Sequence, residues 1–170
     1  MNKINMLRVL GILMVFGLTV IGNLEAQTDN RLNGTWGQTA NGVKFELKMD
    51  NGNFEELYND VSFRKGTYII KNTKELSIVP THIHGGGFNS LMSASGVDFG
   101  LDSKWYAFND FLTTVKARLR KMGVSEKEAK EFVDSAVSSN TTSDYSIDGN
   151  TLTLTSTFQG QPFVVTLTKK

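Results

Sequence analysis

From residue 34 onward the chain is built of short alternating segments. Val43, Phe45, Leu47 and Met49 fall on one face of a segment whose other face carries Lys44, Glu46, Lys48 and Asp50. That is the period-two pattern of a strand buried on one side. Asn41-Gly42 precedes it and Asn51-Gly52 follows it; both dipeptides accept the positive φ of two-residue hairpin turns. The pattern therefore predicts strand 1 over about 34–39, strand 2 over 43–50 and strand 3 over about 53–58. Strand 4 (about 61–71) and strand 5 (about 74–83) form a further hairpin around Lys71-Asn72-Thr73-Lys74.

A second copy of that hairpin follows near the C-terminus. Tyr68-Ile69-Ile70, a turn and Leu76-Ser77-Ile78 line up with Tyr145-Ser146-Ile147, a turn and Leu152-Thr153-Leu154. A repeated hairpin is what an up-and-down sheet produces, because each one meets the same neighbours. On the last strand Phe163, Val165 and Leu167 face inward, and Pro162 suits a strand start. Five strands before residue 84 and three after residue 142 make eight. The expected fold is mainly β: an eight-stranded antiparallel up-and-down barrel, with an interior either filled or just wide enough for one small ligand.

Between the two sets of strands the period changes. Phe108, Phe111, Leu112, Val115, Leu119 and Met122 lie on one helical stripe that Gly123 ends. Ser125-Glu126-Lys127-Glu128 is a capping box opening a second helix with Ala129, Phe132, Val133, Ala136 and Val137 on its apolar face. Two helices of about 14 residues are too short to stand alone. This predicts an αα-hairpin inserted between strands 5 and 6, over about 104–139, lying on the barrel; with the Phe88–Ser103 loop it would form a lid. Lys116, Arg118, Arg120 and Lys121 mark its solvated side, and the polar run Ser135–Ser143 leads back to the sheet.

Residues 1–26 read as a signal peptide. Lys3 and Arg8 precede the apolar run Val9–Ile21, and Ala26 is the expected last residue before cleavage. The run is shorter than the roughly 18–20 residues of a spanning helix. The expectation is an exported protein, periplasmic or secreted, with residues 27–170 as a single domain. Sixteen bases then face sixteen acids, a balance that does not suggest nucleic acid or an anionic membrane as partner. The chain has no cysteine, so neither disulfides nor a thiolate is in play and a closed sheet must hold by apolar contact.

Gly34-Thr35-Trp36 on the first strand, the eight-strand meander and the leader together resemble a bacterial lipocalin-like protein of the calycin group. Thr142-Ser143-Asp144-Tyr145 resembles, with one extra residue, the lipocalin Thr-Asp-Tyr element. Lipocalins commonly carry an Arg near the last strand that covers the indole, where this chain has Thr168-Lys169-Lys170, and they place a helix after the barrel rather than inside the meander. The resemblance implies transport of a small apolar or amphipathic ligand, without catalysis and without a cofactor.

The candidate chemistry is sparse. His82 and His84 are two apart and share a strand face. Parity from Leu76 and Ile78 turns that face inward unless Pro80 shifts the register. The pair are weak candidates for a metal site, needing further ligands such as Glu56 and Asp98. His84-Gly85-Gly86-Gly87 is similar to an esterase oxyanion loop, but no Gly-x-Ser-x-Gly nucleophile elbow accompanies it. The glycines are expected to let the chain leave the sheet toward the helices. Glu56, between Phe54 and Tyr58, would be a buried carboxylate with a raised pKa if its face is interior, able to hold a polar ligand head. Trp36, Phe45, Tyr68, Trp105 and Tyr145 complete the candidate ligand-binding set. Two other readings stand beside the carrier: an envelope interaction module with a filled barrel, and a metal-binding protein through His82 and His84.

Overall fold

The computed structural model describes residues 29–40, 42–93, 96–138, 142–158 and 161–170. The leader expected over 1–26 lies outside them, as does Asn41 of the first predicted turn. A 3-10 turn (Asn30–Leu32) leads into strands β1 (Gly34–Ala40), β2 (Val43–Asp50), β3 (Asn53–Tyr58), β4 (Val61–Lys71) and β5 (Glu75–His84). Helix α1 (Gly85–Ser93), strand β6 (Trp105–Ala107) and helices α2 (Phe108–Lys121) and α3 (Glu126–Ser138) follow. The chain returns to the sheet as β7 (Thr142–Asp148), β8 (Thr151–Phe158) and β9 (Gln161–Lys169).

All strand pairs are antiparallel, and the sheet closes on itself. Consecutive hairpins run from β1 to β5, β5 pairs with β7, β7 with β8, β8 with β9, and β9 returns to β1 through Trp36–Lys169 and Gly37–Thr168. Eight strands form the wall; β6 is a short addition along His82–His84 of β5. The mainly-β barrel with a helical insertion after the fifth strand is therefore present. The insertion is larger than expected, because the three glycines open helix α1 instead of a loop. They do so through close approach. A Cβ on Gly87 would stand 2.0 Å from the Ser62 carbonyl oxygen, and one on Gly85 would stand 2.2 Å from that of Asp102. The polar connector also shortens, since α3 extends to Ser138 and β7 begins at Thr142.

Two cores form. One fills the lower barrel with Leu32, Trp36, Leu47, Met49, Phe54, Tyr68, Ile70, Leu76, Tyr145, Leu152 and Leu167. The 3-10 turn seals that end: Trp36 Nε1 donates to the Leu32 carbonyl at 2.7 Å, and Leu32 is fully buried. The repeated hairpins both serve this seal. Tyr68 donates its hydroxyl to Asn33 at 3.3 Å, and Tyr145 donates to Asp29 at 3.0 Å. The other core joins α1, α2 and α3 to the upper ends of β4 and β5 through Phe63 and Ile83, with Tyr58 of β3 packed against it. The capping box closes as predicted: Ser125 Oγ accepts from the Glu128 amide and Glu128 Oε2 accepts from the Ser125 amide, each at 3.2 Å. Of the predicted stripe, Phe111, Leu112, Val115 and Leu119 are buried, Phe108 is partly buried against the same core, and Met122, just past the end of α2, is exposed. No helix among the described residues is long and apolar enough to cross a membrane.

Candidate functional site

Between the two cores the barrel holds a cavity of about 170 Å³ that opens toward the upper end. Strand register places its walls. On one side Gln38, Phe45 and Tyr58 form the outer rung, and Leu47, Glu56 and Arg64 form the rung below. Opposite them Ser156 pairs with Phe163 and, one rung deeper, Leu154 pairs with Val165. Ile78 of β5 completes the lining. A larger depression of about 540 Å³ lies along Lys48, Asp50, Glu55 and Lys65. It is shallower and its charges are mixed, so the half-open, mainly apolar space inside the barrel is the better site.

Glu56 faces inward as one parity allowed, but it is not a lone carboxyl. Arg64 Nε donates to Glu56 Oε2 at 2.7 Å and Nη2 donates to Oε1 at 2.6 Å. The two side chains are 1% and 3% exposed, a buried bidentate pair on the cavity wall. A bulge builds the pairing: Glu56 opposes Arg64 while Leu57 opposes Ser62, leaving Phe63 as the extra residue. Phe63 joins the helical core and Arg64 enters the barrel. Burial pushes the Tyr58 phenol well above its ordinary range, with the Glu56 charge adding to the effect and Arg64 opposing it. Tyr58 therefore stays neutral at physiological pH, and Glu56 and Arg64 are the charged residues of the lining.

The remaining predicted site residues divide cleanly. Phe45, Glu56 and Tyr58 line the cavity. Trp36, Phe54, Tyr68 and Tyr145 belong to the lower core and fill the barrel there. His82, His84 and Trp105 sit on the outside, which corrects the inward parity expected for the histidines. Pro80 opposes Gly66 and His82 opposes Lys65, so Thr81 is an unpaired extra residue and every side chain beyond it changes face. There His84 Nδ1 accepts from the Gly87 amide at 3.2 Å, and its ring meets the Trp105 edge at 5.1 Å. Lys65 Nζ lies 4.4 Å from the Trp105 ring centroid. Glu56, on the other side of the wall, cannot join the histidines around a metal, and no group of three or more metal-ligating side chains occurs among the described residues.

Sequence reasoning missed most of the lining, including Gln38, Leu47, Ile78 and the β8 and β9 residues, and above all Arg64, the partner of Glu56. The signal for Arg64 was legible: from inward Tyr68 the even positions Gly66 and Arg64 share a face. Lys169 was missed too. Its Nζ lies 5.1 Å from the Trp36 ring centroid, a cation over the indole that the chain's lack of an Arg there had argued against. Gly34, at φ +130°, leaves room for that side chain, since a Cβ there would come within 2.9 Å of Lys169 Cε.

The fold and site thus define a closed eight-stranded antiparallel barrel with a sealed lower end, a helical insertion and a small upper cavity. No family model matches the chain, and neither does any curated protein or solved structure.

Proposed function

We propose that this protein is an exported, non-catalytic lipocalin-like barrel that binds a small apolar or amphipathic molecule in its upper cavity. The observation that carries the reading is the half-open space between two cores, walled by Phe45, Leu47, Ile78, Leu154 and Val165 and edged by a few polar groups. Apolar walls with few oriented polar groups are the usual composition of a small-molecule site. Lys169 over Trp36, a cation where lipocalins commonly carry an Arg, supports the lipocalin-like assignment. The leader pattern over 1–26 supports export to the periplasm or beyond.

The experiment is native mass spectrometry of protein purified from its own host's envelope fraction, with organic extraction of the same sample. The reading expects an adduct lost on denaturation and an N-terminus at Gln27. A clean apo mass, together with no small-molecule binding in solution, would overturn it. A second reading, a protein-interaction module, draws on the apolar rim. Val43, Val61, Phe163 and Val164, at the upper starts of β2, β4 and β9, are each at least 38% exposed. Under that reading, substitution of Phe163 and Val164 by Ser would abolish partner capture and leave ligand binding absent from the outset.

A further inference from the structure

We infer that the barrel selects an uncharged, compact ligand, about one ring in size, whose hydroxyl or amide head donates a hydrogen bond to Glu56 of the Glu56–Arg64 pair. The inference rests on the carrier reading above and adds the ligand's charge, size and orientation.

Charge follows from the pair. The lining carries one carboxylate and one guanidinium, joined by two hydrogen bonds at 2.6 and 2.7 Å. Such a pair is neutral as a unit. A ligand carboxylate would approach Glu56 as closely as Arg64, and a ligand ammonium would approach Arg64 as closely as Glu56. Neither charge finds a net counter-charge, yet each must leave water to enter. An uncharged head loses far less on entry. It also finds an acceptor, because each Glu56 oxygen takes one bond from Arg64 and has lone-pair capacity for a second.

Size follows from the walls. The cavity of about 170 Å³ falls below the roughly 300–1,000 Å³ of drug-sized ligand sites, and is close to the about 150 Å³ of an apolar cavity that holds a single benzene. A long acyl chain does not fit, because Trp36, Phe54, Tyr68 and Tyr145 already occupy the lower barrel. Orientation follows from the rungs. Glu56 and Arg64 lie one rung deeper than Phe45 and Tyr58, and Phe163, 40% exposed, stands at the mouth. The polar head therefore points inward and the apolar body sits between the upper aromatic rings, the reverse of a fatty acid held tail-first.

The test is calorimetric and NMR titration of the mature chain, at neutral pH and millimolar ligand, with benzyl alcohol, benzamide, benzoate, benzylammonium, toluene and palmitate. Benzyl alcohol or benzamide is expected to bind at least tenfold more tightly than benzoate and benzylammonium, and palmitate not to bind. The paired variant Glu56→Leu/Arg64→Met removes both charges together and so avoids stranding either one in the wall. It is expected to retain toluene binding and to lose the preference for the alcohol over toluene. Benzoate or benzylammonium binding as tightly as the alcohol, or palmitate binding, would overturn this inference and leave the carrier reading intact. Failure of every probe, with no adduct on host-purified protein, would remove both.

Discussion

The buried Glu56–Arg64 pair permits a sharp stability experiment. Each side chain is almost fully withdrawn from solvent, at 1% and 3% exposure, and two hydrogen bonds join them. Two unit charges about 4 Å apart attract by about 4 kcal/mol at an effective dielectric of about 20, and that attraction offsets a desolvation cost of several kcal/mol per ion. Removing one partner deletes the attraction and keeps the other ion's cost, so Arg64→Met or Glu56→Leu alone should destabilise by about 3–5 kcal/mol. Removing both deletes cost and gain together, and the double variant should lie within about 1 kcal/mol of wild type or above it. Urea unfolding followed by the fluorescence of Trp36 and Trp105 measures all four proteins. With a slope near ~2 kcal/mol/M, each single variant should lose about 2 M in midpoint, while the double variant recovers it. Additive losses in the double variant, or single variants that cost less than about 1 kcal/mol, would refute the claim that the two charges form one neutral unit inside the wall.

Three further outcomes follow from the geometry. Gly87→Ala forces a Cβ to within 2.0 Å of the Ser62 carbonyl oxygen and should cost about 1–3 kcal/mol or more by moving α1 off β4, whereas Gly86→Ala meets chiefly the Ser103 side chain and should cost less; thermal unfolding of the two variants compares them. Trp36→Phe strips the Leu32 carbonyl of its donor and should cost about 1–3 kcal/mol in urea unfolding, with no new exposure at the mouth. The hydrogen bonds from Arg31 hold Asp29 down at about 2 against an ordinary 3.8, so its contribution is present above pH ~4 and is lost as the pH falls toward 2. Burial and then the Asp29 contact hold Tyr145 up at about 12, so its contribution is present below pH ~10 and is lost as the pH climbs toward 12. Urea midpoints across pH should narrow at both ends in wild type. In Tyr145→Phe the alkaline loss attributable to this residue should vanish.

The chain's own residues specified most of what depends on near neighbours, with helix α1, expected as a loop, the exception. Alternation along 43–50, positive φ at Asn51-Gly52, the capping box at Ser125 and Glu128, and the stripe on α2 are settled by chemistry within a few positions, and each appears where the pattern placed it. The closed eight-stranded meander followed from their order. Even the Tyr68 and Tyr145 repeat was visible, although its common purpose, tying two hairpins to the N-terminal turn, needed the turn's position.

What only the tertiary structure decided is register. The extra residue at Thr81 moves His82 and His84 from the barrel's inside to its outside, and the extra residue at Phe63 sets Arg64 opposite Glu56. In a strand the side-chain period is two, so one inserted residue reverses every face beyond it. Alternation alone does not say where a bulge will fall, because the bulge answers to the partner strand. The same holds for Lys169 over Trp36, which are brought together from opposite ends of the chain by barrel closure. Cavity size belongs with them: inward aromatics could have filled the whole interior, and only the stacking of rungs between two cores left about 170 Å³ open.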